Sequence, residues 1–97
     1  MPTFVILTNF TEQGVRNAKD TVKRAEKFKK IAKQAGATVK AVYWTLGAYD
    51  VVLIVEAPDV TTMTALGLGV GMGGNVRTQT LPAFSAEEMT KVLAKVK

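Results

Sequence analysis

Two segments of the chain are apolar at every position: residues 4–7 (FVIL) and residues 51–55 (VVLIV). β-branched and aromatic residues favour strands, and a strand that lacks polar alternation is buried on both of its faces. We therefore predict that residues 3–10 and 50–56 form the two central strands of one sheet. A chain of 97 residues must then provide two edge strands and a cover for each face of that sheet.

Residues 38–45 and 75–84 are predicted to form the two edge strands, because each mixes apolar residues with polar ones. Pro82 has no N–H group to donate to a neighbouring strand, so it either ends the last strand or lies on a sheet edge. The loop at residues 46–49 contains Gly47, which tolerates the positive φ of a tight hairpin and joins the second strand to the third. The polar residues that define these edge strands are Lys40, Arg77 and Gln79.

Three helices are predicted from residue spacing and from the residues at their ends. Across residues 15–35 apolar side chains recur every three or four positions, and a glycine follows where helices commonly stop. The second helix begins at Asp59, a residue type that accepts backbone N–H bonds at a helix start, and ends near Gly73. A third, short helix follows the capping box formed by Ser85 and Glu88.

The resulting order is strand, helix, strand, strand, helix, strand and a closing helix. It matches the ferredoxin-like α+β fold, βαββαβ, with a four-stranded antiparallel sheet in a single domain over residues 1–97. Both main helices of that fold pack on the same side of the sheet, which leaves the other side uncovered. We therefore expect a second copy of the chain to cover it, in a homodimer or a larger homo-oligomer.

The chain contains no cysteine and no histidine, which narrows its chemistry. Disulfides, thiolate nucleophiles and iron–sulfur clusters are excluded, and the usual general base and zinc ligands are missing. The eight acidic residues are dispersed and form no recognisable metal site. We expect neither a metal ion nor another cofactor.

The net charge of +5 would suit nucleic acid, but the basic residues are concentrated in one stretch. Eight of the thirteen lie between Arg16 and Lys33, on the first predicted helix. A lysine-rich helix face is most often a solvated surface, so we do not expect nucleic acid as the partner. The longest uncharged run, residues 60–76, is interrupted by glycines and short for a membrane span, and no export leader is evident, so we expect a cytoplasmic protein.

Four segments of the chain together resemble the GYD-domain family: TEQGVR (11–16), VYWTLGAYD (42–50), EAPD (56–59) and GNVRTQT (74–80). The resemblance implies the dimeric α/β-barrel superfamily, in which two ferredoxin-like protomers press their sheets together around a shared cavity. It implies no established activity. The hairpin is also similar to that of Lrp/AsnC ligand-sensing domains, which bind amino-acid effectors between subunits, although no helix-turn-helix is attached here.

Six residues are candidates for binding a ligand in such a shared cavity. Strict alternation places Trp44 on one face of the second strand, with Lys40 and Val42, and we assign this set to the face away from the helices. An arginine beside an indole would hold a flat anionic ligand, although ion pairs between subunits explain Arg77 equally well. A bulge would exchange the two faces. The candidates are Asn9, Trp44, Tyr49, Asp50, Arg77 and Gln79.

Tyr49 and Asp50 also have a structural interpretation. An aspartate just after a tight turn commonly accepts hydrogen bonds from nearby backbone N–H groups, and a tyrosine there packs over the hairpin. Three glycines match the G-x-G-x-x-G spacing of dinucleotide sites, but they close a helix and precede a strand, which is the reverse of that motif. We interpret them as places of close backbone packing. They are Gly69, Gly71 and Gly74.

Three functions follow from these features. The first is a non-catalytic homo-oligomer that binds a small anionic or aromatic molecule between subunits. The second is a cofactor-independent oxygenase or isomerase of the dimeric α/β-barrel type. The third is a structural assembly unit whose glycine-rich helix mediates larger oligomers. The sequence does not identify a ligand.

Overall fold

The computed structural model describes the whole chain, from Met1 to Lys97. One four-stranded antiparallel sheet lies at its centre, with the strands in the spatial order β2-β3-β1-β4. The two apolar segments are therefore the central strands, as predicted, and the architecture is the ferredoxin-like α+β fold. The strands are β1 (Thr3–Phe10), β2 (Thr38–Trp44), β3 (Val51–Glu56) and β4 (Val76–Ala83).

Four α-helices accompany the sheet, and none of them is long and apolar enough to cross a lipid bilayer. The second and third are the long ones, and the last follows the final strand. They are α1 (Glu12–Arg16), α2 (Thr21–Gln34), α3 (Val60–Met72) and α4 (Ala86–Leu93), with a 3₁₀ turn at Ala18–Asp20.

The prediction of one continuous helix over residues 15–35 is wrong in its first part. The chain leaves α1 at Asn17, turns through the 3₁₀ segment and only then enters α2. The reason is that α1 is held against the start of β4, where the N–H of Thr11 donates to the carbonyl of Asn75 at 3.0 Å. Arg24 fixes the turn because its Nη1 donates to the carbonyl of Asn17 at 2.7 Å.

Side-chain caps set the starts of α3 and α4, as predicted. Asp59 accepts a hydrogen bond from the N–H of Thr62 at 2.7 Å, and this bond holds the pKa of Asp59 below its usual value. Ser85 and Glu88 form the reciprocal capping box, and the N–H of Ser85 lowers the pKa of Glu88 in the same way.

The hydrophobic core lies on one side of the sheet only, beneath α2 and α3. Alternate residues of the two central strands are buried there, in the period of two that an extended chain imposes. The opposite side has no helix over it. The core residues are Phe4, Ile6, Phe28, Ala32, Ala37, Val51, Leu53, Val55, Ala57, Met63 and Leu66.

The last helix does not contribute to this core. No residue of α4 is buried, and its apolar residues Met89 and Leu93 are 42% and 57% exposed. The molecule is accordingly elongated, with extents of 49 × 31 × 19 Å. The capping box, rather than tertiary packing, defines where α4 begins.

Candidate functional site

The sheet surface that faces away from the helices is called here the open face. It is formed by the strand residues that alternate with the buried ones, and directly paired residues of neighbouring strands share it. Two large apolar side chains of this face are solvent-exposed: Leu81 is 46% exposed and Tyr43 is 64% exposed. Its residues are Thr3, Val5, Leu7, Asn9, Thr38, Ala41, Tyr43, Val52, Ile54, Glu56, Arg77, Gln79, Leu81 and Ala83.

Four of the six predicted site residues come together at one end of the open face. Asn9 of β1 is paired with Arg77 of β4. The hydroxyl of Tyr49 donates to Oε1 of Gln79 at 3.1 Å, so the tyrosine reaches from the β2–β3 loop across β1 to β4. We call these four residues the polar row. The guanidinium of Arg77 forms no salt bridge within the chain. It is therefore able to bind a carboxylate of a ligand or of another chain.

Asp50 lies beside the polar row, but its carboxylate is hydrogen-bonded to the backbone. Its Oδ2 accepts a hydrogen bond from the N–H of Phe10 at 2.8 Å, and its own N–H donates to the carbonyl of Thr8 at 2.8 Å. These two bonds attach the hairpin loop to the end of β1. The geometry matches the structural interpretation of an aspartate after a tight turn, in which Gly47 takes φ of +107°.

The assignment of Trp44 to the open face is wrong. A β-bulge between Val39 and Ala41 inserts Lys40 as an extra residue, so every later residue of β2 changes face. Trp44 is paired with the buried Val51, and its indole N–H donates to Oγ1 of Thr21 at the start of α2, at 3.0 Å.

The same bulge moves Val42 to the helix side, where it is paired with Leu53. Lys40 itself stays near the open face, with its Nζ 3.8 Å from Glu56. The sequence pattern did not identify Tyr43 as a residue of the open face. Tyr43, rather than the predicted Trp44, lies on that face in β2. Nothing in the local sequence marks the bulge, because an exposed lysine is ordinary on an edge strand.

The fold and the open face define a class of protein: a ferredoxin-like α+β domain with one exposed, largely apolar sheet face. Within that class, the model of the GYD domain matches residues 4–93. The chain belongs to the GYD-domain family.

Two relatives are similar over nearly their whole length. A Thermus thermophilus protein, "Glutamine synthetase and cystathionine beta-lyase binding protein", is 36% identical over 93 residues, which is 92% of this chain and 95% of that protein. The crystal structure of TTHA0845, also from Thermus thermophilus, aligns with a TM-score of 0.56 at 25% identity, over 89% of this chain and 96% of that one. The second similarity confirms the ferredoxin-like fold.

Proposed function

We propose that this chain is a non-catalytic binding protein that acts as a homodimer and docks on enzymes. The observation that carries the proposal is the 36% identity, over 92% of the chain, to a protein named for binding glutamine synthetase and cystathionine β-lyase. The open face and the charge distribution supply a physical basis for both kinds of contact.

The open face is the proposed surface of self-association. Its centre is a continuous apolar patch, and two such sheets packed face to face bury their patches at a separation of about 10 Å. Patches of this kind on soluble proteins mark interaction sites. The apolar residues involved are Val5, Leu7, Ala41, Tyr43, Val52, Ile54 and Leu81.

Charge on the open face favours a two-fold arrangement. Arg77 lies beside Asn9 at one end of β1, and Glu56 lies beside Thr3 at the other end. A two-fold axis that lies between the two sheets, parallel to their planes and perpendicular to the strands, places each end of one sheet over the opposite end of the other. Arg77 of one copy is then directed toward Glu56 of the second copy, which is the only acidic residue of the open face.

The outer surface of such a dimer would carry the lysines of α2, because the helices lie on the side away from the interface. Five of these lysines are exposed. A row of positive charge at this density attracts an acidic surface and accelerates association with it. We infer that the partner enzymes present an acidic patch to α2. The lysines are Lys23, Lys27, Lys29, Lys30 and Lys33.

The test is a direct binding measurement on purified glutamine synthetase and cystathionine β-lyase from the host of this chain, each immobilised. Wild-type protein is expected to bind at least one of them saturably, with affinity that falls as salt rises. The double variant Lys23→Glu, Lys30→Glu is expected to lose at least about tenfold in affinity. The double variant Lys91→Glu, Lys95→Glu, with the same charge change near α4, serves as the control and keeps its affinity.

Two results would contradict this proposal. One is the absence of binding to either enzyme by correctly folded protein at low salt. The other is an equal loss of affinity in both double variants. That result would show that the net charge of the chain, and not a binding surface on α2, determines the affinity.

The polar row favours a second, compatible role. Its free guanidinium and two amide side chains on an otherwise apolar face suit a small anionic ligand held between the two sheets. Such a ligand would contact Asn9, Tyr49, Arg77 and Gln79, and Asp50 would hold the loop that carries the tyrosine. Calorimetric titration with small carboxylates tests this role, and Arg77→Gln is expected to abolish any binding at this place.

A further inference from the structure

A cavity of about 550 Å³ lies between α2, α3 and the helix side of the sheet. It is on the opposite side of the sheet from the open face, so it is separate from the polar row. Its volume falls within the range typical of sites for small organic molecules. The room arises because small residues line it from both helices, among them Ala25 on α2 and Gly67 and Gly69 on α3.

Most of the cavity wall is apolar, and three aromatic rings contribute to it. Phe10 comes from the end of β1, Phe28 from α2 and Trp44 from the bulged strand β2. The bulge thus turns the tryptophan of the chain away from the open face and into this wall. A flat or cyclic hydrocarbon body would have favourable contacts here.

Two buried polar groups in the wall have no hydrogen-bond partner. Thr8 is only 4% exposed and lines the cavity, yet its Oγ1 is unpaired. The Nη2 of Arg24 is also buried and unpaired, whereas Nη1 of the same guanidinium is bonded to Asn17. Buried polar groups in native proteins are almost always satisfied, so both groups are donors that take an acceptor from outside the chain, such as water or a ligand.

The charge around the cavity specifies what that acceptor is. Arg24 and Lys27 line it, and no aspartate or glutamate does. The guanidinium carbon of Arg24 lies 5.9 Å from the ring centre of Phe10, which places the cation against the aromatic wall. An anionic group paired with a planar guanidinium is the natural complement.

We propose that this cavity binds a small aromatic carboxylate. The carboxylate accepts from Nη2 of Arg24, an acceptor atom of the ligand satisfies the hydroxyl of Thr8, and the ring packs among Phe10, Phe28 and Trp44. This function goes beyond the docking on enzymes proposed above. Its site is not the open face, and of the docking lysines only Lys27 also lines the cavity. Either proposal can fail without the other.

The indole N–H of Trp44 provides the measurement, because the chain has one tryptophan and therefore one indole peak in a ¹H–¹⁵N spectrum. The probe is 3-phenylpropanoate, and its neutral amide, 3-phenylpropanamide, is the matched control ligand. For a ligand of this size we expect a dissociation constant of about 1 mM. Saturable shifts of the Trp44 indole peak and of the Thr8 amide peak are expected, with the neutral amide at least about tenfold weaker.

Three variants locate the effect. Arg24→Gln is expected to weaken binding at least about tenfold, and Thr8→Val, which keeps the side-chain shape, is expected to weaken it as well. Lys91→Gln on α4 removes the same charge outside the cavity and is expected to bind like wild type. Spectra of each variant without ligand confirm that it is folded.

The proposal is overturned by any of three results. One is no saturable shift of the Trp44 indole peak up to about 10 mM probe in folded protein. The second is equal affinity in Arg24→Gln and wild type. The third is shifts confined to Leu7 and Gln79, which would place the probe on the open face and support the second role of the polar row instead.

Discussion

The carboxylate Oδ2 of Asp50 accepts a hydrogen bond from the backbone N–H of Phe10 at 2.8 Å, across 40 residues of sequence. This bond ties the β2–β3 hairpin to the end of the central strand β1. It also positions Tyr49, the preceding residue, so that its hydroxyl reaches Gln79 on the far strand. The hairpin motif therefore organises the open face.

The first prediction concerns this bond. Asp50→Ala is expected to lower the free energy of unfolding by about 1–3 kcal/mol, because the N–H of Phe10 loses a charged acceptor in a partly buried place. Asp50→Asn keeps an acceptor oxygen and is expected to lose less. Urea unfolding followed by circular dichroism measures both.

The matched control for that prediction is Asp20→Ala. Asp20 precedes α2 but makes no side-chain capping bond, so its loss is expected to change stability by less than about 0.5 kcal/mol. Equal destabilisation by the two alanine variants would show that the hydrogen bond between Asp50 and Phe10 makes no specific contribution to the free energy of unfolding.

The second prediction contrasts two glycines. A Cβ on Gly14 would run into the carbonyl of Asn75, whereas one on Gly71 would meet nothing within 4 Å. Gly14→Ala is therefore expected to cost about 1–3 kcal/mol, since α1 must move away from β4. Gly71→Ala is expected to stabilise α3 by about 0.5–1 kcal/mol through helix propensity alone. Thermal unfolding of the two variants gives the sign of each effect, and the same sign for both would contradict the packing described for α1.

The third prediction concerns acid. The N–H of Ser85 holds the pKa of Glu88 below its usual value, so the capping box stabilises α4 above the ordinary glutamate pKa of about 4.3. As pH falls through the lowered pKa, this contribution is lost and the start of α4 is expected to fray. The amide peak of Ser85 should therefore move in the acid range in wild type.

Glu88→Gln provides the comparison for the acid titration. The glutamine keeps a side-chain acceptor but has no charge to lose, so its Ser85 peak is expected to be insensitive to pH in that range. A titration identical to wild type would show that another group controls α4.

The order of elements and the central position of β1 and β3 were predictable because they follow from local patterns. Two fully apolar segments can only be central strands, and Asp59 and Ser85 mark helix starts through bonds within one helical turn. Gly47 likewise marks its turn. These features depend on residues near one another in the chain.

The face on which Trp44 lies was not predictable from alternation. It depends on the bulge at Lys40, which is fixed by how β2 pairs with β3 rather than by the type of that residue. The break at Asn17 has a similar origin, since Gly14 packs against Asn75, a residue that is far from it in the sequence. The cavity near Arg24 depends on the spacing of two helices, which no local pattern encodes.

The fourth prediction tests charge pairing in the proposed dimer. Arg77→Glu is expected to weaken dimerisation at least about tenfold, because it places an acid opposite Glu56 of the second copy. The double reversal Arg77→Glu, Glu56→Arg is expected to recover part of that loss. A double-mutant cycle on the dimer dissociation constants measures this coupling. Strictly additive losses would show that Arg77 and Glu56 do not interact in the dimer.

The most direct test of the central claim, that the open face is closed by a second copy, is sedimentation equilibrium at about 10 µM protein. Wild type is expected to have twice the mass of one chain. Leu81→Lys places a charge on the open face and is expected to give a folded monomer, whereas Met72→Lys, at an 87% exposed position at the end of α3, is expected to stay dimeric. A folded wild-type monomer at this concentration would contradict the account.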